Sequence, residues 1–381
     1  MSDIVTLTLT SDEALKTGTE PTVTILGNNA SVDANDDNTV FTATYTITGN
    51  DANEDITNGN PIPISVAATY TDETGNVGSL VSNTTNGSSV TYDIVAPVLD
   101  PIRLRSDNSL DSNLAIVGDE VTLTLVSDSP IMIGTKPTIV IAGNTIADGS
   151  ITRVSNSKFT ATYAMQNTSN DNQYDDPDTK LPISITNYKD YAGNVGAAKT
   201  ATTDPDNSYV TFDNTNPTLT LVTIASNNGT GSNLAIPGNT LTLQFTSDTQ
   251  IQTPVVTIAG RVPDALTAVG NAHTATLQLT EDDDDASDPI AFTVNYSDMA
   301  GNAGVAVNQT GTTDGSFVNF DKTKPQLDKV YIRSMSSSSI DLTGDNPGLD
   351  SAYISPDETI SLRFRSNEAL SSLDIYITKN E

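Results

Sequence analysis

One nine-residue phrase occurs three times in this chain: Tyr70-Thr-Asp-Glu-Thr-Gly-Asn-Val-Gly78, Tyr188-Lys-Asp-Tyr-Ala-Gly-Asn-Val-Gly196 and Tyr296-Ser-Asp-Met-Ala-Gly-Asn-Ala-Gly304. A chain that repeats its punctuation at long intervals is a tandem array, so its fold is the fold of one unit several times over. A second marker follows each copy: Val90-Thr-Tyr-Asp93 leading to Pro97, Val210-Thr-Phe-Asp213 leading to Pro217, and Val318-Asn-Phe-Asp321 leading to Pro325. Equivalent aspartates are 213 minus 93, or 120, and 321 minus 213, or 108, residues apart. Solenoid and propeller repeats run at roughly 20 to 50 residues, whereas a unit of this length buries its own core. The markers place modules at 1–97, 98–217 and 218–325, with a partial one at 326–381.

Within each module Thr alternates with Val, Ile, Leu or Phe, as in Ile4-Val-Thr-Leu-Thr-Leu-Thr10, Val121-Thr-Leu-Thr-Leu125 and Leu241-Thr-Leu-Gln-Phe245. Alternation puts apolar residues on one face and hydroxyls on the other, the signature of half-buried antiparallel strands. Pro21-Thr-Val-Thr-Ile25, Pro137-Thr-Ile-Val-Ile141 and Val255-Val-Thr-Ile258 form a second set, each followed by a Gly that opens a turn. Phe41-Thr-Ala-Thr-Tyr45, Phe159-Thr-Ala-Thr-Tyr163 and His273-Thr-Ala-Thr-Leu277 form a third. No segment holds a helical period over three turns. About six or seven short strands per module predict an all-β chain of tandem immunoglobulin-like antiparallel β-sandwich modules in an extended array.

The frame of the array matters as much as the strands. The chain opens in the strand that is second in each module, so module one lacks its first strand. Lys329-Val-Tyr-Ile-Arg333, Glu358-Thr-Ile-Ser-Leu-Arg-Phe364 and Leu373-Asp-Ile-Tyr-Ile-Thr378 supply the first three strands of a fourth module. Two explanations stand side by side: a window cut from a longer array, or a self-assembling fibre or surface-lattice subunit joined head to tail by strand complementation.

Composition narrows the partners. Lys plus Arg number 17 and Asp plus Glu 48, a net charge of -31, so no basic stripe exists to neutralise phosphates. Nucleic acid is excluded, and anionic lipid is disfavoured on the same ground. Zero Cys removes disulfides, thiolate metal sites and Cys nucleophiles. His273 is the only histidine and occupies the slot of Phe41 and Phe159, which reads as packing and not as a catalytic base. With zero Trp and 5% aromatic residues there is little to build a sugar cleft, and no phosphate-binding Gly loop occurs, so no enzymatic activity is expected. No stretch approaches the roughly 18 apolar residues of a membrane span, and Met1-Ser-Asp begins no export signal, so direct membrane insertion is not expected.

The Asp-x-x-Gly-Asn turn and the Asp-x-x-x-Pro junction together resemble the tandem immunoglobulin-like, cadherin-like repeats of large prokaryotic cell-surface adhesins and surface-layer proteins, across essentially the whole chain. The resemblance implies an extracellular, cell-surface location and a role as stalk or extender. It also implies calcium near module junctions, partners among neighbouring modules or copies of the chain, and any host-cell or surface ligand bound through domains outside it.

Calcium takes roughly six to eight oxygens, and a carboxylate-rich chain without thiols offers the donors it prefers. The junction residues Asp93, Asp213 and Asp321 and the turn residues Asp72, Asp190 and Asp298 are the candidate ligands, with Glu120 and Glu358 positioned to close a junction from the far side. For the turn aspartates a second reading stays open, in which the carboxylate accepts backbone N–H bonds and no metal is needed. The acidic loops Asn50-Asp-Ala-Asn-Glu-Asp55, Asn170-Asp-Asn-Gln-Tyr-Asp-Asp176 and Glu281-Asp-Asp-Asp-Asp285 read as solvated surface, with weak surface calcium as the alternative.

Overall fold

The computed structural model describes residues 3–48, 51, 61–176, 178–203, 208–285, 289–334, 357, 359–370 and 372–376. They divide into two compact units, one of Met1–Thr215 with Ala300–Asn302 and one of Asn216–Met299 with Ala303–Glu381. Strand dominates both, and the α-helix among the described residues is the four-residue Ser169–Asn172.

In the first unit the second module is a complete sandwich. One sheet runs Ile151–Ser155, Lys158–Ala164, Glu120–Ser127, Leu99–Ser106 in spatial order; the other runs Asn144–Thr145, Thr138–Ile141, Ile183–Thr186. The alternation read from sequence becomes burial: Val121, Leu123, Leu125 and Ser127 of the Glu120–Ser127 strand point inward while the threonines between them are half-exposed. Ile102, Leu104, Ile139, Ile141 and Ile185 meet them from both sheets in one core. Each such side chain contributes roughly 1.5–3 kcal/mol on burial, which is how a chain without disulfides holds the sandwich. The third module, in the second unit, repeats the plan: Leu219–Ser226, Thr240–Ser247, Ala272–Gln278 and Ala265–Val269 form one sheet, and Val255–Ile258, Phe292–Asn295 and Val307–Asn308 the other.

Two features were not legible. The last strands, Thr211–Phe212 and Asn319–Phe320, pair in parallel with Leu114–Ala115 and Leu234–Ala235, short strands inside the repeated Ser-Asn-Leu-Ala-Ile segment. The Gly after the second strand is also not alone in its turn. Leu26 and Gly27, Ala142 and Gly143, and Ala259 and Gly260 all have positive φ, the geometry of a two-residue primed hairpin turn that matches strand twist.

The first module has the same two sheets with one strand fewer. Ile4–Thr10 pairs with Val40–Thr46, which pairs with Ser31–Ala34, and among the described residues nothing pairs with the other edge of Ile4–Thr10. In the fourth module Leu327–Ser334 pairs with Ile360–Ser366, while the expected third strand gives no ladder over 372–376 and otherwise lies outside the described residues.

The nine-residue phrase explains itself at this level. A Cβ placed on Gly78, Gly196 or Gly304 would stand 1.9, 1.9 or 2.1 Å from a ring carbon of Tyr70, Tyr188 or Tyr296, so the tyrosine lies flat on the bare backbone eight residues ahead. Gly196 N–H donates to the Tyr188 carbonyl, and the Tyr188 hydroxyl donates to the Ala197 carbonyl at 2.6 Å. Only glycine permits this approach. Gly196→Ala is expected to cost about 2–3 kcal/mol, read as a lower denaturation midpoint for the second module, because a fully buried ring has to be displaced. Tyr188→Phe, which keeps the ring, should cost about 1 kcal/mol.

Candidate functional site

The turn aspartates are built into their own loops. Asp72 is buried, and its Oδ1 accepts the N–H groups of Thr74 and Asn76 at 2.8 Å each, while its Oδ2 accepts Asn76 Nδ2 at 2.6 Å and Thr74 Oγ1 at 2.9 Å. The Asn76 side chain and then its N–H hold the Asp72 carboxyl down at about 2. Asp190, also buried, accepts Asn194 N–H and Asn194 Nδ2 at 2.9 Å each. Gly75, Gly193 and Gly301 take φ of 93°, 95° and 111°, values that cost L residues strain, and so close the loops. Asp298 is buried in the third copy, where its carbonyl accepts Gln252 Nε2.

Asn194 has a second partner. Its Nδ2 also donates to the carbonyl of Asp93, the junction residue of the preceding module, at 2.9 Å. The same bond recurs within the first unit between Asn302 Nδ2 and the Asp213 carbonyl at 3.1 Å. Asp93 and Asp190 thus meet through an amide side chain that reaches both. The sequence offers Asn76, Asn194 and Asn302 as turn residues and as further oxygen donors beside the turn aspartates; an amide in a turn carries no mark of a partner a hundred positions away.

The junction carboxylates are also acceptors. Asp93, Asp213 and Asp321 each accept an N–H two residues ahead, from Val95, Thr215 and Thr323, at 2.9 to 3.0 Å. Asp93 and Asp321 are exposed and Asp213 half-buried. The linker is gripped from the preceding module by Asp175, which accepts Asn214 N–H at 2.7 Å, and by Asp285, which accepts Thr323 Oγ1 at 2.7 Å. From the following module it is gripped just past the proline. Val98 and Asp128 exchange an N–H to carboxylate bond of 2.8 Å and an N–H to carbonyl bond of 3.0 Å; Thr218 with Asp248 does the same, and Gln326 with Asn367 makes the equivalent pair through the Asn367 amide oxygen. The Thr218 hydroxyl and then its N–H lower the Asp248 carboxyl. The signal for these anchors was the Ser-Asp or Ser-Asn pair closing each second strand, Ser127-Asp128, Ser247-Asp248 and Ser366-Asn367.

Glu120 is exposed, and its N–H donates to Asp107. The neighbouring Asp119 is the engaged carboxylate, accepting Asn108 Nδ2 at 2.7 Å and Ile116 N–H at 2.9 Å. Glu358 lies outside the described residues. Among the described residues no three carboxylates or imidazoles gather as a metal would need. Both carboxylate oxygens of Asp72 and of Asp190 accept N–H groups.

The acidic loops are not simply solvated. Among the described residues each has a buried aspartate, Asp51, Asp171 and Asp283; the rest of the 50–55 loop lies outside the described residues. Asp51 accepts Tyr45 OH, Thr48 N–H and Asn28 Nδ2; Asp171 accepts Tyr163 OH, Gln166 N–H and Asn144 Nδ2. Burial, then the bond to Asp171 and its charge, pushes Tyr163 up to about 12. In the third module Leu277 replaces the tyrosine, and Arg261 takes the asparagine's place after the hairpin glycine and binds both Asp283 oxygens at 2.8 Å.

His273 is a core ring. It stacks on Phe245 with centroids 5.1 Å apart and planes 5° off parallel, its Nε2 is buried without a hydrogen-bond partner, and burial pushes the imidazole down. No helix among the described residues is long and apolar enough to cross a membrane.

No protein-family profile matches the chain, and no curated protein matches it in sequence. Among solved structures it is similar to the I9–I11 tandem from titin, at 8% identity over 84% of this chain and 94% of that one, with a TM-score of 0.29. It is similar to a chimeric titin Z1Z2–Z1Z2 tandem, at 12% identity over 60% and 100%, with a TM-score of 0.20. A third is SGBP-B of the Bacteroides ovatus mixed-linkage glucan utilization locus, at 14% identity over 88% and 69%, with a TM-score of 0.19. No functional conclusion rests on likenesses this low. The sheets themselves define an immunoglobulin-like sandwich protein with its modules in tandem.

Acidification is expected to weaken the modules at separate points. His273 has a folded pKa below its unfolded value of about 6.5, so its contribution is complete above that pH and is lost as pH falls below it. In calorimetry His273→Phe should remove this step. Asp72 is depressed from 3.8 to about 2, so its contribution is complete above pH 3.8 and lost on the way to about 2. Asp72→Asn should lower the first module's melting temperature at pH 7 and flatten its dependence below pH 4.

Proposed function

We propose that this chain is a non-enzymatic spacer in an extracellular, prokaryotic cell-surface protein of adhesin type, whose junctions are fixed by polar clamps. The observation that carries the reading is the amide bond from Asn194 to the Asp93 carbonyl, which ties the end of the first module to the second. A spacer works by resisting bending where its modules join, and a linker held by side chains of the module it leads into resists it. Asp128 adds to the hold of Asn194 on the first linker by accepting Val98 N–H. The net charge of -31 and the burial of the one histidine as a packing ring support a mechanical role over a chemical one.

Calcium belongs to the proposal as an added stiffener at the linkers. A net charge of -31 and an oxygen-only donor set favour it, and Asp93, Asp213 and Asp321 are the ligands expected to matter. Ions there would neutralise facing carboxylates and raise stability by mass action, about 2.7 kcal/mol at a hundred times the dissociation constant.

The test is small-angle scattering with thermal melts, in excess chelator and then in millimolar calcium. A higher melting temperature and a stiffer particle in calcium, partly erased by Asp213→Asn, support the calcium reading, and no change in either removes it. Independently, Asn194→Ala is expected to broaden the scattering-derived distance distribution, while the second module still melts cooperatively at a temperature lowered by the donor that Asp190 loses. An unaltered distribution would overturn the clamped-spacer reading.

A further inference from the structure

One whole sheet of the third module carries no formal charge. Leu219–Ser226, Thr240–Ser247, Ala265–Val269 and Ala272–Gln278 hold no Asp, Glu, Lys or Arg between them, and His273 is buried in the core. From Asn214 to Thr280 the charged residues are Asp248, Arg261 and Asp264, in a chain that is 17% charged overall. The corresponding sheet of the second module carries Arg103, Arg105, Arg153 and Lys158. The outer face of the neutral sheet is built of hydroxyls, methyls and an amide. Thr242 opposes Thr276, Gln244 opposes Thr274, and Thr274 opposes Thr267 on its other side.

This sheet ends in an edge that its counterparts guard and it does not. Ala265–Val269 pairs with Ala272–Gln278 in unbroken register, and among the described residues no strand pairs with its other side. In the second module the counterpart Ile151–Ser155 shifts register between Arg153 and Ser155, and the Arg153 guanidinium lies 5.2 Å from the centre of the Phe159 ring. In the first module the counterpart Ser31–Ala34 carries Asp33. Charges and bulges are the means by which proteins keep an edge strand from pairing with another chain. Ala265–Val269 has neither, and its Val269 is 86% exposed.

We propose that Ala265–Val269 is a homotypic docking edge, which pairs antiparallel with the same strand of a second copy of this chain. Charge selects the occupant. Two chains of -31 repel wherever acidic surfaces meet, and an uncharged edge is where they approach at least cost. A basic partner would be drawn to the acidic loops instead. The strand is also self-complementary. Around a twofold axis at Thr267, Thr267 stands opposite its own copy and Ala265 opposite Val269, so hydroxyl meets hydroxyl and methyl meets methyl. The four-stranded sheets of the two copies then continue as one, with the neutral threonine face running across both. A contact of one short strand per copy is small, so the association is weak and reversible, and it gains strength where many copies stand side by side. Lateral pairing goes beyond the spacer reading and holds or fails separately from it.

The absence of cysteine makes cross-linking a direct test. Residues directly opposite in antiparallel strands have Cα atoms about 4.5–5.5 Å apart, within disulfide reach. Thr267→Cys is expected to form a covalent dimer under mild oxidant at least about tenfold faster than Val255→Cys, an exposed position on the other sheet. Equal rates overturn the proposal. In sedimentation the unmodified chain should show concentration-dependent mass that increases with salt, because screening removes the repulsion and the interface holds no ion pair to weaken. Thr267→Asp and Thr267→Lys should each stay monomeric alone, and an equal mixture of the two should regain association, which also shows that both are folded. Thr267→Asp mixed with Val255→Lys should not. A chain that is monomeric at millimolar concentration, an association that Thr267→Asp leaves intact, or a Thr267→Asp and Thr267→Lys mixture that stays monomeric each overturns the homotypic edge.

Discussion

The structure depends throughout on carboxylates accepting hydrogen bonds from backbone N–H groups that no sheet can satisfy. Sandwiches in tandem need short linkers, and a linker containing proline cannot join a ladder, so its remaining N–H groups require partners. Water would satisfy them without fixing the chain. Here Asp93, Asp213 and Asp321 satisfy the linker's own N–H groups, and Asp128 and Asp248 tie it to the next module. A carboxylate accepting from N–H groups makes a stronger bond than a neutral oxygen does, and it needs no countercharge when several donors converge. Part of the acidity of this chain is therefore internal structure. Asp72, Asp171 and Asp190 are buried carboxylates held by neutral donors.

This accounts for what was legible in the sequence and what was not. Strands were readable because their period is local: Thr-x-Thr alternation and the resulting burial occupy one short stretch. The Tyr-to-Gly spacing was readable as punctuation, though its cause, a ring lying on a bare Cα, required coordinates. The Asp-x-x-Gly-Asn turn supported two readings because calcium and N–H groups both seek carboxylate oxygens. At Asp72 the N–H groups of Thr74 and Asn76 point at the carboxylate, and spacing does not encode that direction. Asn194, Asp128 and the hydroxyls of Thr203 and Ser208 were missed for another reason, since each acts on a partner roughly 30 to 100 positions away.

The third module shows how strictly the acidic loop must be satisfied. At Asp51 and Asp171 the donors are a tyrosine hydroxyl, an asparagine amide and a backbone N–H. Leu277 removes the hydroxyl in the third copy, which would leave a buried carboxylate short of a donor, a deficit worth about 1–3 kcal/mol or more for a charge. Arg261 replaces the lost hydroxyl and the asparagine together by gripping both oxygens. Burial alone would push the Asp283 carboxyl up, and the Arg261 and Thr280 bonds outweigh it, so its pKa still falls. Reading the loop as a run of solvated charge overlooked that the run contains one position that is not free to vary alone.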